Sequence, residues 1–308
     1  MADRFLEFER VTKAFGRQRA LSEVTFTVGR GEVVGFVGPN GAGKSTALRI
    51  LTGLLRPDSG TVRLDGVAQR VDPRRVRGKI GALIESPACY PGLTAWDHLA
   101  YVGRLRGMHG LDPAPTLRAV GLDPSSPKAV RQFSLGMKQR LGIAMATFAS
   151  PPLLVLDEPM NGLDPLGIAD LREYLRRMPG QTGASILVSS HLLSEIDQIC
   201  DRVLLIREGR LLSDTAVSAV RDRAAAVTLR TSDDARAEAI LLDAGVVDAI
   251  DHQASGLVCW TREGALGRLA TLLVGAGLEV YELTPRGTTL EDVYVAIYGD
   301  ERNGRALR

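Results

Sequence analysis

The chain has few cysteines and no long hydrophobic run. Cys89, Cys200 and Cys259 lie far apart without CxxC or CxxH spacing, which argues against a zinc site or a disulfide framework. No window approaches the roughly 18 consecutive apolar residues of a membrane span. Residues 1–10 also lack the apolar core of a secretory signal. The sequence therefore predicts a cytosolic chain that can act at a membrane only through a separate subunit.

Aromatic residues and net charge are also low. Aromatics make up 5% of the chain and the formal net charge is +2, so stacking platforms and a strongly basic surface are both lacking. We therefore expect no nucleic-acid partner. The local basic cluster at residues 74–79 is interpreted as a solvated face. With 308 residues, 45% of them hydrophobic and 24% charged, the chain is expected to form one large globular domain and a smaller one.

The first part of the chain alternates strand and helix patterns, which is typical of an α/β domain with a largely parallel sheet. Predicted strands cover residues 4–8, 21–28, 32–37, 153–156 and 185–189, and a helix covers residues 45–55. Thr61–Leu64 followed by Asp65-Gly66 predicts a hairpin. From about residue 86 to 150 strand patterns nearly vanish, which indicates a helical insertion. This domain is assigned to residues 1–220.

The pattern restarts after about residue 221 with the order β-α-β-β-α-β, which predicts a small α+β domain of ferredoxin-like type over residues 221–300. Its elements are expected at residues 226–230, 233–242, 246–251, 257–261, 264–273 and 279–283, followed by a short helix at 290–297. Residues 301–308 are expected to form a tail.

A glycine-rich segment lies between a predicted strand and a predicted helix and fits the spacing G-x-x-x-x-G-K-[ST]. Glycines let the backbone N–H groups point inward, and the following helix adds a partially positive N-terminus, so the segment suits a polyphosphate. The expected phosphate contacts are Gly38, Pro39, Asn40, Gly41, Ala42, Gly43, Lys44, Ser45 and Thr46. Lys44 is the candidate for the β- and γ-phosphates and for a part in catalysis, and Ser45 is a candidate Mg²⁺ ligand.

Polar residues end two further strands. Asp157 and Glu158 follow an apolar strand, and His191 follows another, so all three are expected at the sheet edge where α/β proteins bind ligands. Asp157 is the candidate for the metal's water shell, and Glu158 is the candidate general base. His191 can reach a γ-phosphate. Taken alone, an acid pair is more often a helix cap or solvated turn, and a histidine there is more often a turn residue.

A serine and glycine turn from Phe133 to Arg140 opens another helix. With it, the chain resembles the ATP-binding cassette (ABC) family over residues 1 to about 215. The motifs occur in the family's order: the phosphate loop, the signature at residues 134–139, the acid pair, the segment Asn161-Gly162-Leu163-Asp164, and His191. The resemblance implies an α/β P-loop ABC ATPase core with a helical insertion, with ATP and Mg²⁺ as its cofactors.

The resemblance also implies a dimer of cassettes, in which Ser134 and Gly136 of one copy approach the ATP held by the phosphate loop of the other. A helix N-terminus at Ser134 is suited to a γ-phosphate, although the same serine also serves as a helix cap. Phe15 occupies the place of an aromatic that stacks on adenine, and its alternative is a core aromatic. The remaining partner is an integral membrane permease, which would hold this chain at the cytoplasmic face of the membrane.

Several positions depart from the commonest family pattern. Phe133, Leu135 and Met137 replace the leucine, first glycine and glutamine of the signature. Glu85 stands where the family has a glutamine joining core and insertion, and a carboxylate there is expected to face the metal's water shell unless it is simply a tolerated polar residue. Segment 85–111 is expected to dock the permease. These features look most like antibiotic exporter ATPases of the bacitracin and lantibiotic type, which predicts efflux of a drug or peptide antibiotic.

Three alternatives stay open at this point. An importer ATPase differs mainly in its membrane subunit. A non-transport ABC ATPase acting on ribosomes or DNA usually has two cassettes or a long coiled-coil insertion, whereas this chain has one cassette and a short insertion. A regulator that only binds ATP is disfavoured by the presence of both Asp157 and Glu158.

Overall fold

The computed structural model describes residues 4–219, 225–247, 249–253, 256–261 and 266–286. The chain forms two compact units, Met1–Asp214 and Thr215–Arg308.

The first unit begins with an antiparallel sheet in the order β2-β1-β4-β5. Its strands are β1 (Arg4–Phe15), β2 (Gln18–Gly29), β4 (Ser59–Leu64) and β5 (Val67–Ala68). Asp65 and Gly66 join β4 and β5, which confirms the predicted hairpin. The prediction for β1 stopped seven residues early, because the strand continues through pairing irregularities near Arg10 that interrupt its alternating pattern.

The second sheet is the larger one and has the order β10-β9-β3-β8-β7-β6. Its strands are β3 (Val33–Val37), β6 (Ile80–Leu83), β7 (Leu153–Asp157), β8 (Ser185–Ser190), β9 (Arg202–Arg207) and β10 (Arg210–Ala216). The pairs from β9 to β6 are parallel. Every residue of β3, β7 and β8 is buried, as expected for strands covered on both faces. Their carboxyl ends therefore meet at one edge of the sheet.

The helices of this unit are α1 (Lys44–Leu51), α2 (Pro73–Gly78), α3 (Ala95–Leu105), α4 (Ala114–Ala119), α5 (Leu135–Thr147), α6 (Pro165–Thr182) and α7 (Leu193–Asp197). Helices α3 to α5 lie between β6 and β7 in the chain and form the predicted helical insertion. Helix α1 ends earlier than residue 55, because the backbone leaves the helix at Gly53 with φ 74°. Within the described residues, no helix is long and apolar enough to cross a membrane.

The second unit contains a four-stranded antiparallel sheet in the order β12-β13-β11-β14. Its elements are β11 (Ala225–Thr231), α8 (Asp234–Asp243), β12 (Ala249–Gln253), β13 (Gly256–Thr261), α9 (Leu266–Gly275) and β14 (Val280–Arg286). This order confirms the ferredoxin-like prediction. Residues 246–247 are wrongly predicted as strand, because the buried Val246 instead bonds its N–H to Leu241 O in the turn after α8. The predicted helix at 290–297 and the tail lie outside the described residues.

Candidate active site

The phosphate loop leaves the end of β3 and curls into α1. Pro39, Asn40 and Gly41 are exposed, Ala42 is buried, and Ser45 and Thr46 are half-buried at the start of the helix. The Ala42 N–H donates to Pro39 O at 3.1 Å, and the Ala42 carbonyl accepts the Gly209 N–H at 2.9 Å. Gly43 precedes the helix with φ 108°, and a Cβ there would lie 2.5 Å from Ala20 O. Only glycine fits that position.

Lys44 is the first residue of α1, and its side chain, which is 7% exposed, reaches back into the loop. Its Nζ donates to Gly38 O at 2.6 Å and lies 3.4 Å from Pro39 O. The same Nζ lies 3.7 Å from Glu158 Oε1. The ammonium is therefore surrounded by oxygen acceptors and lies inside the turn of the loop, where a phosphate oxygen would be a further acceptor.

The Glu158 carboxylate lies between two cationic or proton-carrying groups. Oε1 faces Lys44, and Oε2 lies 2.8 Å from His191 Nδ1. The Glu158 side chain is 21% exposed, so it is partly shielded from water while remaining accessible to it. The structure thus brings Lys44, Glu158 and His191 together, although they are far apart in the chain. Glu158 and His191 directly follow the carboxyl ends of β7 and β8, and the phosphate loop connects the end of the neighbouring β3 to Lys44.

Asp157 is held in the sheet edge by a residue that the sequence analysis did not select. The Ser189 hydroxyl donates to Asp157 Oδ1 at 2.6 Å and accepts the Glu158 N–H at 3.0 Å. Asp157 and Ser189 are direct partners in the pairing of β7 and β8. One serine therefore orients both acids. Its only signal in the sequence is a hydroxyl two residues before His191.

The donor chemistry at this edge fits a magnesium ion. Asp157 offers carboxylate oxygens and Ser45 offers a hydroxyl in the first turn of α1, both hard oxygen donors of the kind that Mg²⁺ takes. Mg²⁺ usually binds through one or two protein ligands together with water and substrate phosphates. Asp157 and Ser45 therefore suit an ion that arrives with a nucleotide.

Phe15 lies at the tight end of the β1–β2 hairpin and is 50% exposed. Its ring centroid lies 5.7 Å from Lys13 Nζ. Asp58 fixes this end of the strand, because it accepts Lys13 Nζ and the Ala14 N–H, each at 2.7 Å. The hydrogen bond from Lys13 lowers the pKa of Asp58 below its usual value. The exposed ring is consistent with a stacking platform.

Ser134 and Gly136 lie at the start of α5, outside the cluster around Glu158. Ser134 is exposed, and its hydroxyl accepts the Met137 N–H at 3.2 Å as the N-cap of the helix. Gly136 is half-buried in the first turn. The cap role of Ser134 is thus present, and its exposure leaves the helix N-terminus open to a ligand from outside.

Glu85 forms an ion pair with Arg49, which lies in α1 directly behind the phosphate loop. Its side chain is 60% exposed, and its backbone has φ 61°. The pair links the segment before the helical insertion to the helix that carries Ser45. Sequence reasoning did not identify Arg49 as its partner.

A parallel sheet whose central strand runs into a phosphate loop, with an acid pair and a histidine at the ends of the neighbouring strands, defines the site of a P-loop ATPase. The profile of the family described as ABC transporter matches residues 21–161. A second profile, described as an AAA domain of a putative AbiEii toxin, matches residues 126–197.

Similar proteins extend the match over almost the whole chain. The bacitracin transport ATP-binding protein BcrA of Bacillus licheniformis is 35% identical over 292 residues, covering 94% of this chain and 95% of that protein. The lantibiotic transport ATP-binding protein SrtF of Streptococcus pyogenes is 42% identical over 207 residues, covering 67% of this chain and 89% of that protein. The chain belongs to the ABC transporter family, and it is an ATPase.

Solved structures agree with this assignment. The ATP-binding subunit of an ABC transporter is 32% identical with a TM-score of 0.65 and covers 70% of this chain and 92% of that one. A dimeric ATP-binding cassette in a post-hydrolysis state, bound to ADP and Pi, is 25% identical with a TM-score of 0.61. The match covers 69% of this chain and 98% of that one. The α/β ABC fold predicted from the sequence is confirmed.

Proposed function

We propose that this chain is the ATP-hydrolysing subunit of an ABC exporter. The observation that carries the proposal is the Glu158 carboxylate, which lies 3.7 Å from Lys44 Nζ and 2.8 Å from His191 Nδ1 at the carboxyl edge of the central sheet. This arrangement supplies an acceptor for a water proton beside a cation suited to phosphate. It is therefore suited to attack of water on a terminal phosphoryl group.

The phosphate loop binds the nucleotide. Backbone N–H groups of the loop, which every residue from 38 to 46 except Pro39 carries, and the N-terminus of α1 contact the phosphates, while Lys44 donates to β- and γ-phosphate oxygens. The exposed ring of Phe15 stacks on adenine. The Ser45 hydroxyl would bind a magnesium ion, and the carboxylates of Asp157 and Glu85 would face its water shell. The ion would supply neutralisation of the charge on the phosphate oxygens.

Glu158 accepts a proton from the water that attacks the γ-phosphorus atom. The oxygen of that water forms a bond to phosphorus, the bond to the β–γ bridging oxygen breaks, and the products are ADP and phosphate. His191 orients Glu158 through the contact of its Nδ1 with the carboxylate. Its other ring nitrogen, Nε2, reaches the γ-phosphate. Ser189 fixes the position of the Glu158 backbone relative to the Asp157 carboxylate, because its hydroxyl bonds to both.

The complete site needs two copies. Ser134 and Gly136 open α5 on an exposed surface, so they are placed to contact the ATP bound in a partner cassette. A related cassette is described as dimeric with ADP and Pi bound. This supports a sandwich dimer in which each phosphate loop faces the partner's signature turn.

Export is the direction that the similar proteins favour over import, since they are named for bacitracin and lantibiotic transport. The cargo we propose is accordingly a drug or peptide antibiotic. A permease supplies the membrane path and holds the chain at the cytoplasmic face of the membrane. The ATPase domain is followed by an accessory ferredoxin-like domain, and the boundary expected near residue 220 lies shortly after the division of the two compact units at Asp214.

The permease is expected to dock on the helical insertion. Helix α3 and the loop after it border an open groove of about 460 Å³. Trp96, Met108 and Leu111 line it with exposed apolar surface, and Tyr101 and Leu105 expose further apolar area on the same helix. Apolar patches of this kind mark protein contacts.

We predict that crosslinks to the cytoplasmic loops of the co-expressed permease concentrate on residues 85–111. Cysteines introduced at Trp96 and Leu105 should react with permease loops. A cysteine at Leu242 serves as the matched control, because this apolar position of α8 is 50% exposed, between the 40% of Trp96 and the 69% of Leu105. Crosslinks confined to the C-terminal domain would refute the docking surface. Failure of any polytopic membrane protein to co-purify, with a ribosome or DNA in its place, would refute the exporter assignment.

The Glu85→Gln variant tests the carboxylate of Glu85. An amide keeps the size of the side chain but carries no charge, so it weakens the pair with Arg49 and lowers the attraction to magnesium. We expect ATP binding to persist while the magnesium dependence of hydrolysis shifts to higher concentrations. The measurement is a magnesium titration of the ATPase rate. Superimposable curves, together with unchanged export, would eliminate this role for Glu85.

A further inference from the structure

Gln139 is a buried polar side chain in α5, 5% exposed, that no part of the proposed mechanism uses. Its Nε2 lies 3.0 Å from Pro159 O and 3.4 Å from Glu158 O. Carbonyl oxygens only accept, so the NH₂ group must face them, and its two hydrogens match the two acceptors. The helix that begins at Ser134 is thereby joined to the residue proposed as general base.

The backbone of Glu158 has an unusual conformation that needs such support. Its φ of 49° lies in the left-handed region, which costs an ordinary residue about 1–2 kcal/mol. Its N–H is shared between the carbonyl and the hydroxyl of Ser189, at 3.2 and 3.0 Å. Its carbonyl accepts Gln139 and the Asn161 N–H, the latter at 3.2 Å. Because both sides of the residue are held, the direction of its side chain is defined.

We infer that Gln139 is a positioning residue for ATP hydrolysis. By holding the carbonyls of Glu158 and Pro159, it keeps the Glu158 carboxylate between Lys44 and His191, where it meets the attacking water. The inference rests on the proposed role of Glu158 as base. Gln139 acts through Glu158 and leaves the phosphate contacts of the loop to other residues.

The alternative role is that of an anchor, in which Gln139 only attaches α5 to the core. The two roles differ in what they change. An anchor contributes to folding stability and leaves the turnover of each folded molecule intact. A positioning residue changes kcat, because a displacement of about 1 Å in a reacting group can cost about 100-fold in rate.

The test is Gln139→Met, which keeps the length of the side chain and removes both donors. We expect kcat to fall about 10- to 100-fold, while KM and the affinity for ATP stay unchanged because the phosphate loop is untouched. Gln139→Asn is a milder second variant, since its shorter amide cannot reach both carbonyls. It should give an intermediate loss of kcat.

Thr147→Val is the matched control. Thr147 is another buried polar residue of α5, and its hydroxyl donates to Ile143 O at 3.0 Å within the same helix. Removing it should lower the melting temperature about as much as Gln139→Met does. The kcat of Thr147→Val should remain at the wild-type value. Equal kcat in Thr147→Val and Gln139→Met would reduce Gln139 to an anchor and overturn the inference.

A double variant links Gln139 to Glu158. If Gln139 acts through the Glu158 carboxylate, adding Gln139→Met to Glu158→Gln should cause no further loss of kcat. Multiplying losses would overturn the inference while leaving Glu158 as the base. A wild-type rate in Glu158→Gln alone would instead refute the proposed function, so the two failures are distinguishable.

Discussion

Replacing Lys44 by alanine is expected to abolish ATP hydrolysis and to weaken ATP binding severely. The ammonium is 7% exposed and lies among the carbonyl oxygens of Gly38 and Pro39, where it can form charge-assisted bonds to two phosphate groups. Such bonds contribute about 1.5–3 kcal/mol each, so losing two of them predicts a loss of about 10² to 10⁴ in kcat/KM. The measurements are the steady-state ATPase rate and the Kd for ATP.

The loss should come from the site and leave the fold intact. A buried ammonium is costly to desolvate, so Lys44→Ala should unfold at or near the wild-type temperature. Lys128→Ala is the matched control, because Lys128 carries the same charge on an exposed loop of the insertion. It should hydrolyse ATP at the wild-type rate. An unaltered rate in Lys44→Ala would disprove the assignment of the phosphate loop.

The positions of the site residues could be predicted because they depend on local rules. Three short buried strands carry the site: Val33–Val37, Leu153–Asp157 and Ser185–Ser190. Because they are parallel, their carboxyl ends lie at the same edge of the sheet. Glu158 and His191, which directly follow two of these strands, and Lys44, which the phosphate loop brings back to the end of the third, therefore had to converge. The roles of Lys44 and Glu158 in binding and hydrolysis remain predictions, which the Lys44→Ala and Glu158→Gln variants test.

Contacts between distant side chains could not be predicted in the same way. Gln139 meets Glu158 and Pro159 only because α5 packs beside β7, and nothing in the spacing of these residues signals that contact. The pairing of Glu85 with Arg49 likewise depends on how two segments 36 residues apart approach each other. Such partners are properties of the packed structure, whereas strand ends and helix caps are properties of the local sequence.

The predicted boundaries of helices and strands were wrong where a buried segment does not belong to a strand. Val246 and Val247 are buried, which favoured a strand, yet they follow α8 in an irregular segment before β12. An apolar pattern in the sequence indicates that a segment is buried. Whether the buried segment is a strand depends on its hydrogen bonds to a neighbouring strand. The opposite error occurred in β1, whose continued pairing with β2 is hidden by bulges.

Glu158→Gln is expected to keep ATP binding and to lose about 10² to 10⁴ in turnover, the usual contribution of a general base. Glutamine has nearly the shape of glutamate, so the backbone contacts of residue 158 with Ser189 and Gln139 should persist. The amide accepts no proton from water at neutral pH. The ATPase rate and ATP affinity of the purified variant check the prediction, with Glu173→Gln as a control for the same charge change on an exposed face of α6.

Bound ATP that cannot be hydrolysed should hold two copies together, because each signature turn then stays on the partner's nucleotide. In gel filtration with ATP, Glu158→Gln should run as a dimer and the wild type mainly as a monomer. Adding Lys44→Ala to Glu158→Gln should abolish the dimer, since the ATP that joins the copies is lost. A Glu158→Gln variant that binds ATP tightly and still elutes only as a monomer would contradict the sandwich arrangement. The base assignment would survive that result, because it rests on the rate alone.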